Sequence, residues 1–358
     1  MTATKPQEKT LTLSPYLHRE GGSLYNPATG GRIDGVSEGD LGALSAGHAE
    51  AIAGDLRDRL EHARFLVEDV FAESRRFALF CVSLETSSVC NHRCGFCPVS
   101  VDPREAEVMP PALFERIVAE IAGLATPRTV VFLNNYNEPT VDPHFEDRCR
   151  TLFSRSLPVS LLTNASGLKP DVARRIASAG RFRYLGINLP TLDPERYREL
   201  HGTRDLARVV GNVEALEGID VAQEKAIVAL GYEDDAHRRD VAALRERFEP
   251  RGWEVRPFPI RSRAGQMGQV LPPPKKRLRG CDLMGSRPFE HLHVNANGTA
   301  VLCCQDYYEK WPVGDLNRQS VAEVLGGERI AQMRRWAYGV EEAPDEFLCR
   351  RCEFALGQ

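Results

Sequence analysis

The chain has 358 residues, with 46 basic and 50 acidic side chains interspersed for a net charge of −4, which leaves no basic footprint for nucleic acid. Hydrophobic residues make up 42%, enough for a large core with appended modules, but no run of about 20 apolar residues is present to span a membrane. The opening MTATKPQEKT lacks the apolar core of a signal peptide, so the ten cysteines are expected to be reduced, in a cytoplasmic protein.

Residues 1–75 read as a small separate module. A strand-like stretch at 11–24 is followed by turn chemistry at 25–30 (Tyr-Asn-Pro-Ala-Thr-Gly). Ser37 offers an N-cap before an alanine-rich helix, and 55–65 shows a second helical period. Residues 76–260 alternate strand and helix signals. Strands are expected at 76–84, 129–135, 159–163, 184–189, 225–230 and 253–258. Helices are expected at 111–124, 144–155, 170–179, from 194, from 206 and at 237–248. About six such units with short connections imply a parallel sheet covered by helices, an α/β fold closing into a partial (β/α)6 barrel. Sites in such folds lie at the carboxyl ends of the strands. Residues 261–280, rich in Arg, Gly, Pro and Lys, read as a linker or a loop over the site, with a solvated basic run. The rest of 261–358 forms a third unit.

None of the cysteines lies in the first 80 residues, and they fall into a central and a C-terminal group, which suggests two metal sites. Cys90, Cys94 and Cys97 stand in a C-x3-C-x2-C spacing directly after the first barrel strand. Three thiolates on one four-iron cube, where four are usual, leave one iron open to a substrate or cofactor. A structural zinc would close with four ligands. No fourth lies next to this loop, and His92 inside it would be strained as a co-ligand.

This loop resembles that of the radical S-adenosylmethionine (SAM) enzymes. The resemblance implies that the open iron chelates SAM, and that one-electron cleavage yields a 5'-deoxyadenosyl radical that abstracts hydrogen from a C–H bond. It also implies a one-electron donor such as a flavodoxin or ferredoxin. Phe96 matches the aromatic position that borders the adenine. The segment ending Tyr136-Asn137-Glu138-Pro139 aligns with the family's Gly-Gly-Glu-Pro, with Glu138 as the carboxylate for the SAM ammonium and Asn137 where glycine is usual. Thr163-Asn164 aligns with Thr-Asn-Gly, with Ala165 in place of the glycine. Asn188, at the end of the next strand, matches a position that contacts SAM ribose or carboxylate. The alternative for these positions is ordinary strand-end turn chemistry.

In the C-terminal group, a turn at Asn297-Gly298 should return Cys303 toward Cys281, and Cys349 and Cys352 form a C-x2-C pair. This pattern resembles the twitch/SPASM extension of radical SAM enzymes, in its shorter form with one auxiliary four-iron cluster on Cys281, Cys303, Cys349 and Cys352. Zinc on the same four is the alternative. The N-terminal module resembles the winged-helix peptide-recognition modules of some peptide-modifying radical enzymes, with a plain capping domain as the alternative. Some radical SAM epimerases quench the substrate radical with a cysteine, which makes Cys304 and then Cys149 candidate hydrogen-atom donors. Cys81 reads as a buried hydrophobe. His201, His291 and His293 titrate in the range for proton transfer, but nothing in the sequence places them in the site.

The resemblance implies a SAM-dependent radical enzyme. The first expected substrate is a carbohydrate or aminocyclitol moiety of a natural product, epimerised or dehydrogenated as in antibiotic pathways. A ribosomally made precursor peptide recognised by the N-terminal module is the second. A non-catalytic iron–sulfur or zinc scaffold is the third.

Overall fold

The computed structural model describes residues 11–48, 51–52, 54–267, 273–282 and 286–358. The expectations for the first ten residues and for the middle of the linker fall outside them.

Six parallel strands form the barrel wall: β1 (Cys81–Leu84), β2 (Val130–Phe132), β3 (Val159–Thr163), β4 (Phe182–Asn188), β5 (Ala222–Gly231) and β6 (Glu254–Pro259). They are neighbours in chain order. All four residues of β1 are buried, because helices cover one face and the barrel interior the other. The covering helices include α1 (Pro111–Leu124), α2 (Phe145–Ser154), α3 (Pro170–Ala177), α4 (Pro194–His201), α5 (Leu206–Glu214) and α6 (Asp235–Phe248). In α1, proline occupies the first turn, where no N–H is needed. Leu113, Phe114, Ile117, Val118 and Ile121 then bury one stripe at helical spacing. Pro257 and Pro259 are tolerated in β6 because it is an edge of the sheet.

Two strands are shorter than the sequence suggests. The expected strand at 76–84 is regular only from Cys81, since Ala78 and Phe80 donate to the carbonyls of Phe289 and Glu290 instead of to a ladder. The expected strand at 129–135 stops at Phe132, and the side chain of Asn134 then accepts from the Leu162 N–H (3.3 Å).

The C-terminal segment extends this sheet. Strand β7 (His291–Val294) pairs in parallel with β1, with His291 opposite Cys81 and Val294 opposite Leu84. Strands β8 (Thr299–Val301) and β9 (Pro312–Asp315) follow antiparallel, giving one nine-stranded sheet in the order β6-β5-β4-β3-β2-β1-β7-β8-β9. The expected boundary at 260 therefore separates segments of sequence and not sheets. The turn between β7 and β8 is where it was expected, with Gly298 at φ 86°.

The N-terminal module is a three-stranded antiparallel sheet (His18–Glu20, Ser23–Asn26, Gly31–Ile33) with helices at Glu38–Ser45, Gly54–His62 and Val70–Glu73. It has its own core, including Leu24, Ile33, Leu41, Leu60 and Phe65. It docks on the C-terminal segment through Tyr16, whose ring meets Phe289 at 5.1 Å and Tyr338 at 5.4 Å. Tyr25 adds a hydroxyl donated to Glu290. Among the described residues no helix is long and apolar enough to cross a membrane.

The end of α4 braces the cysteine loop. Arg93 and Gly95 donate their backbone N–H to the carbonyls of His201 and Leu200, each at 3.0 Å. Gly202 caps α4 in the left-handed region at φ 66°, and a Cβ there would stand 2.6 Å from the Arg93 carbonyl oxygen. Gly202→Ala should cost at least about 1–2 kcal/mol and displace the loop. Thermal unfolding and iron content after reconstitution should both fall. Unchanged iron would mean that the brace is dispensable.

A second expectation concerns docking. Burial pushes the Glu290 carboxyl from 4.5 up to about 7, partly offset by the Tyr25 hydroxyl and the Ser286 N–H. An acid raised on folding holds its proton more tightly in the folded state. Its contribution is therefore full below about pH 4.5 and is lost as pH rises through 7, by at most about 3 kcal/mol. Melting temperatures from pH 5 to 8 should decline more steeply for wild type than for Glu290→Gln, and equal slopes would remove Glu290 as the cause.

Candidate functional site

The cysteine loop connects β1 to a short 3-10 turn at Pro98–Ser100. Cys90 and Cys97 pack against Val99, Tyr136 and Tyr307. Burial pushes the Cys90 thiol up to about 12 and the Cys94 and Cys97 thiols above their ordinary value. Cys94 is pushed further by the charges of Cys97 and Cys90. Thiols held this way keep their protons until a metal displaces them, and the thiolate is the form that ligates iron. The donor set fits the three-thiolate site expected from the spacing.

The strand ends beside the loop form one hydrogen-bonded cradle. Glu138 is buried, and its Oε1 accepts from Thr140 N (3.1 Å), Thr140 Oγ1 (2.6 Å) and Thr163 Oγ1 (2.5 Å). Its Oε2 accepts from the Asn164 N–H (2.7 Å). A carboxylate has about four lone-pair sites, so Oε2 keeps capacity for one more donor. Asn164 ties the cradle to the loop through Asn91 Oδ1 (3.0 Å), and Asn91 reaches on to Ser166 Oγ (2.8 Å). Asn137 is spent on its own turn, accepting from Asn135 N (2.9 Å) and donating toward the Leu133 carbonyl (3.4 Å). Ala165, in the expected glycine position, does adopt a left-handed φ of 60°. Asn188 is different. Its Oδ1 is shielded from solvent with no hydrogen-bond partner, the state of a polar group kept for a ligand.

The C-terminal cysteines converge through strand pairing. Leu278–Cys281 pairs antiparallel with Ala355–Gly357, which sets Cys281 opposite Ala355 and close to Cys352. The Cys349 thiol is raised by burial and then by the charges of Cys352, Cys281 and Cys303. Cys352, at about 12, is raised by burial and by Cys303 and Cys281. The four expected auxiliary ligands are thus within electrostatic reach of one another. Cys304 adjoins this group, its sulfur lying within 4.8 Å of the Cys303 sulfur and of a ring nitrogen of His293. Arg287 Nη1 lies 2.6 Å from Cys304 Sγ, and a hydrogen bond from Cys303 together with Arg287 pulls the Cys304 thiol down. Cys149 lies in the core on α2 and is fully buried. Arg287 and Asn91 escaped the sequence reading, which named His201 only as a candidate for proton transfer with no place in the site. Asn91 carried a local signal, its place inside the cysteine loop, but the other two meet the cysteines only through tertiary contacts.

Strand direction separates the two cysteine groups. The loop leaves the carboxyl end of β1. Strand β8 runs antiparallel to β7 and so to β1, with Val301 opposite His293, so Cys303 emerges near the amino end of β1. Cys304 accordingly feels the charge of Cys81. Between the groups is a cavity of about 420 Å³ lined mainly by apolar side chains, from Phe96 on the loop to Arg287 beside Cys304. Asn134, Tyr184, Arg261 and Arg263 also face it, and no described Asp or Glu lines it. A larger cleft, of about 1240 Å³ and with no cysteine among its described lining residues, lies between the N-terminal module and the C-terminal segment.

The sequence model of the radical SAM superfamily matches residues 84–244, and that of the SPASM iron–sulfur cluster-binding domain matches 281–353. Among solved structures, BtrN in complex with AdoMet and 2-DOIA is similar at 16% identity and TM-score 0.53, over 77% of this chain and 93% of that one. SuiB of Streptococcus suis bound to precursor peptide SuiA is similar at 13% identity and TM-score 0.59, over 96% of this chain and 93% of that one. The anSMEcpe structure with AdoMet and Cp18Cys peptide is similar at 14% identity and TM-score 0.54, over 77% and 86%. No curated protein matches the chain. At these identities the likeness is one of fold. The two family matches span both cysteine groups and imply a SAM-binding four-iron cluster together with auxiliary cluster binding: the chain is a radical SAM protein with a C-terminal SPASM-type domain.

Proposed function

We propose that this radical SAM enzyme acts on a peptide that docks between its N-terminal module and its C-terminal segment. The observation that carries the reading is the charge of the larger cleft. Arg19, Arg32, Arg128, Arg277 and Arg279 line it against only Glu20 and Asp282. Arg19 and Arg32 are neutralised by Glu38 and Asp34, but Arg277 and Arg279 have no ion-pair partner among the described residues. An acidic extended segment suits such a cleft. The match to SuiB, a structure bound to a precursor peptide, takes in 96% of this chain, whereas the matches to BtrN and anSMEcpe take in 77%. This order reverses the one expected from the sequence. The carbohydrate reading remains second, favoured by the likeness to BtrN, and here as an epimerase or dehydrogenase of a neutral sugar. An aminocyclitol ammonium would meet no carboxylate among the described residues of the barrel cavity.

In this reading Cys90, Cys94 and Cys97 hold the SAM-binding cluster, and Cys281, Cys303, Cys349 and Cys352 hold one auxiliary cluster. Bound together, the first cluster and SAM supply a reductive cleavage that ends in hydrogen-atom abstraction from an unactivated C–H bond. The free lone pair on Glu138 Oε2 accepts the SAM ammonium, and Asn188 Oδ1 accepts from the ribose. Phe96 covers the adenine. Arg261 and Arg263, without carboxylate partners among the described residues, offer cations to a carboxylate at the cavity. The apolar walls keep water from the reacting carbon.

Anaerobically reconstituted wild type should carry about eight irons, and the Cys90/Cys94/Cys97→Ala triple variant about four. 5'-Deoxyadenosine should be released by wild type only. A Cys349/Cys352→Ala variant should keep deoxyadenosine release while losing about four irons. Zinc in place of iron at the C-terminal site would remove the auxiliary cluster.

For docking, Arg277→Glu/Arg279→Glu should weaken binding of a labelled glutamate-rich decapeptide about ten-fold by fluorescence anisotropy, as expected from two lost ion pairs. SAM cleavage without substrate should be unchanged. Equal affinity in wild type and variant would remove the cleft as the docking site.

A further inference from the structure

Behind the cysteine loop lies a set of buried polar groups that the cradle does not use. One ring nitrogen of His92, one of His201 and the Cys94 sulfur all lie within 4.8 Å of one another. His201 is the last residue of α4 and is fully buried. Its ring packs on Tyr197 at 4.6 Å, His92 at 5.3 Å and Phe96 at 5.9 Å between centroids. Neither of its ring nitrogens has a hydrogen-bond partner.

Tautomers decide which histidine can donate. His92 Nε2 is 3.3 Å from Asp205 Oδ2, and Asp205 is an ionised acceptor held by Arg208. His92 therefore carries its proton on Nε2. Its other ring nitrogen, Nδ1, has no partner. An imidazole, neutral or protonated, always carries at least one N–H, so His201 keeps a buried donor without a partner. A buried N–H without an acceptor is rare in folded proteins. The Cys94 sulfur lies within 4.8 Å of a His201 ring nitrogen, and a ligating thiolate is a stronger acceptor than a thiol.

We propose that His201 donates its ring N–H to the sulfur of Cys94 and thereby raises the reduction potential of the SAM-binding cluster. Hydrogen bonds to cluster sulfurs are among the main determinants of cluster potential. Such a bond favours the reduced state, which carries one more negative charge. His201 touches no substrate and acts only through Cys94. The proposal rests on the reading that the loop holds the SAM-binding cluster.

The test is an EPR-monitored redox titration of reconstituted protein, following the signal that changes when SAM is added. His201→Phe should make that cluster about ten-fold harder to reduce at a given potential, about 59 mV for one electron. His201→Asn, which retains an N–H donor, should recover much of the loss. Equal potentials in wild type and His201→Phe at equal iron content would overturn the proposal. Should the variants fail to load iron, wild-type protein labelled with 15N-histidine decides the matter. A histidine nitrogen coupled to the reduced cluster in pulsed EPR is expected, and its absence would overturn the hydrogen bond. A wild-type signal indifferent to SAM would instead defeat the underlying reading of the loop.

Discussion

The backbone around Cys90–Cys97 has no ladder or helix of its own, so the groups that fix its shape pair mostly with other parts of the chain. Those partners come from distant parts of the chain. The end of α4 accepts from Arg93 and Gly95, the Glu138 N–H donates to the Val89 carbonyl, and Asn164 and Ser166 hold Asn91. The loop is therefore shaped by the barrel. Glu138 shows the same economy. Four donors fix its carboxylate across the ends of β2 and β3, so a group positioned for a ligand is also a structural clamp.

Electrostatics give the cysteine sites a second constraint. Buried thiols at each site oppose ionisation by desolvation and by mutual repulsion. Only a cation resolves that conflict, which couples metal loading to local order. Cys304 escapes it because Arg287 supplies the compensating charge in advance. The same guanidinium also lies 3.7 Å from Cys303 Sγ, so it faces both adjacent cysteines.

The elements legible in the sequence were those with strong local signals. The three-cysteine spacing, the six strand–helix units and the hairpin at Gly298 all rest on short-range patterns of residue type. The illegible parts depend on pairings between remote segments. Nothing in Cys81–Leu84 says that its second neighbour will be His291–Val294. Nothing in the spacing of the cysteines says that Arg287 will face Cys304 or that His201 will lie behind Cys94. The strand at 129–135 was read too long because apolar character persists to Leu133, while Asn134 and Asn137 fold their amides back onto backbone and end the ladder. Ala165 was read as a departure from glycine. Its backbone nonetheless takes the left-handed conformation, in which its methyl is buried in the core.

The pairing of β1 with β7 has a consequence for how the protein comes to exist. As the chain emerges during synthesis, β1 gains β2 early, but its other edge stays open until residues about two hundred positions later have been made. That edge is apolar and buried in the finished fold, so in the growing chain it is a sticky, unpaired strand. Long-range closure of this kind is slow. The strand that launches the cysteine loop is therefore among the last to be locked in place. The cysteine loop therefore gains its final surroundings only once the C-terminal segment has closed the sheet.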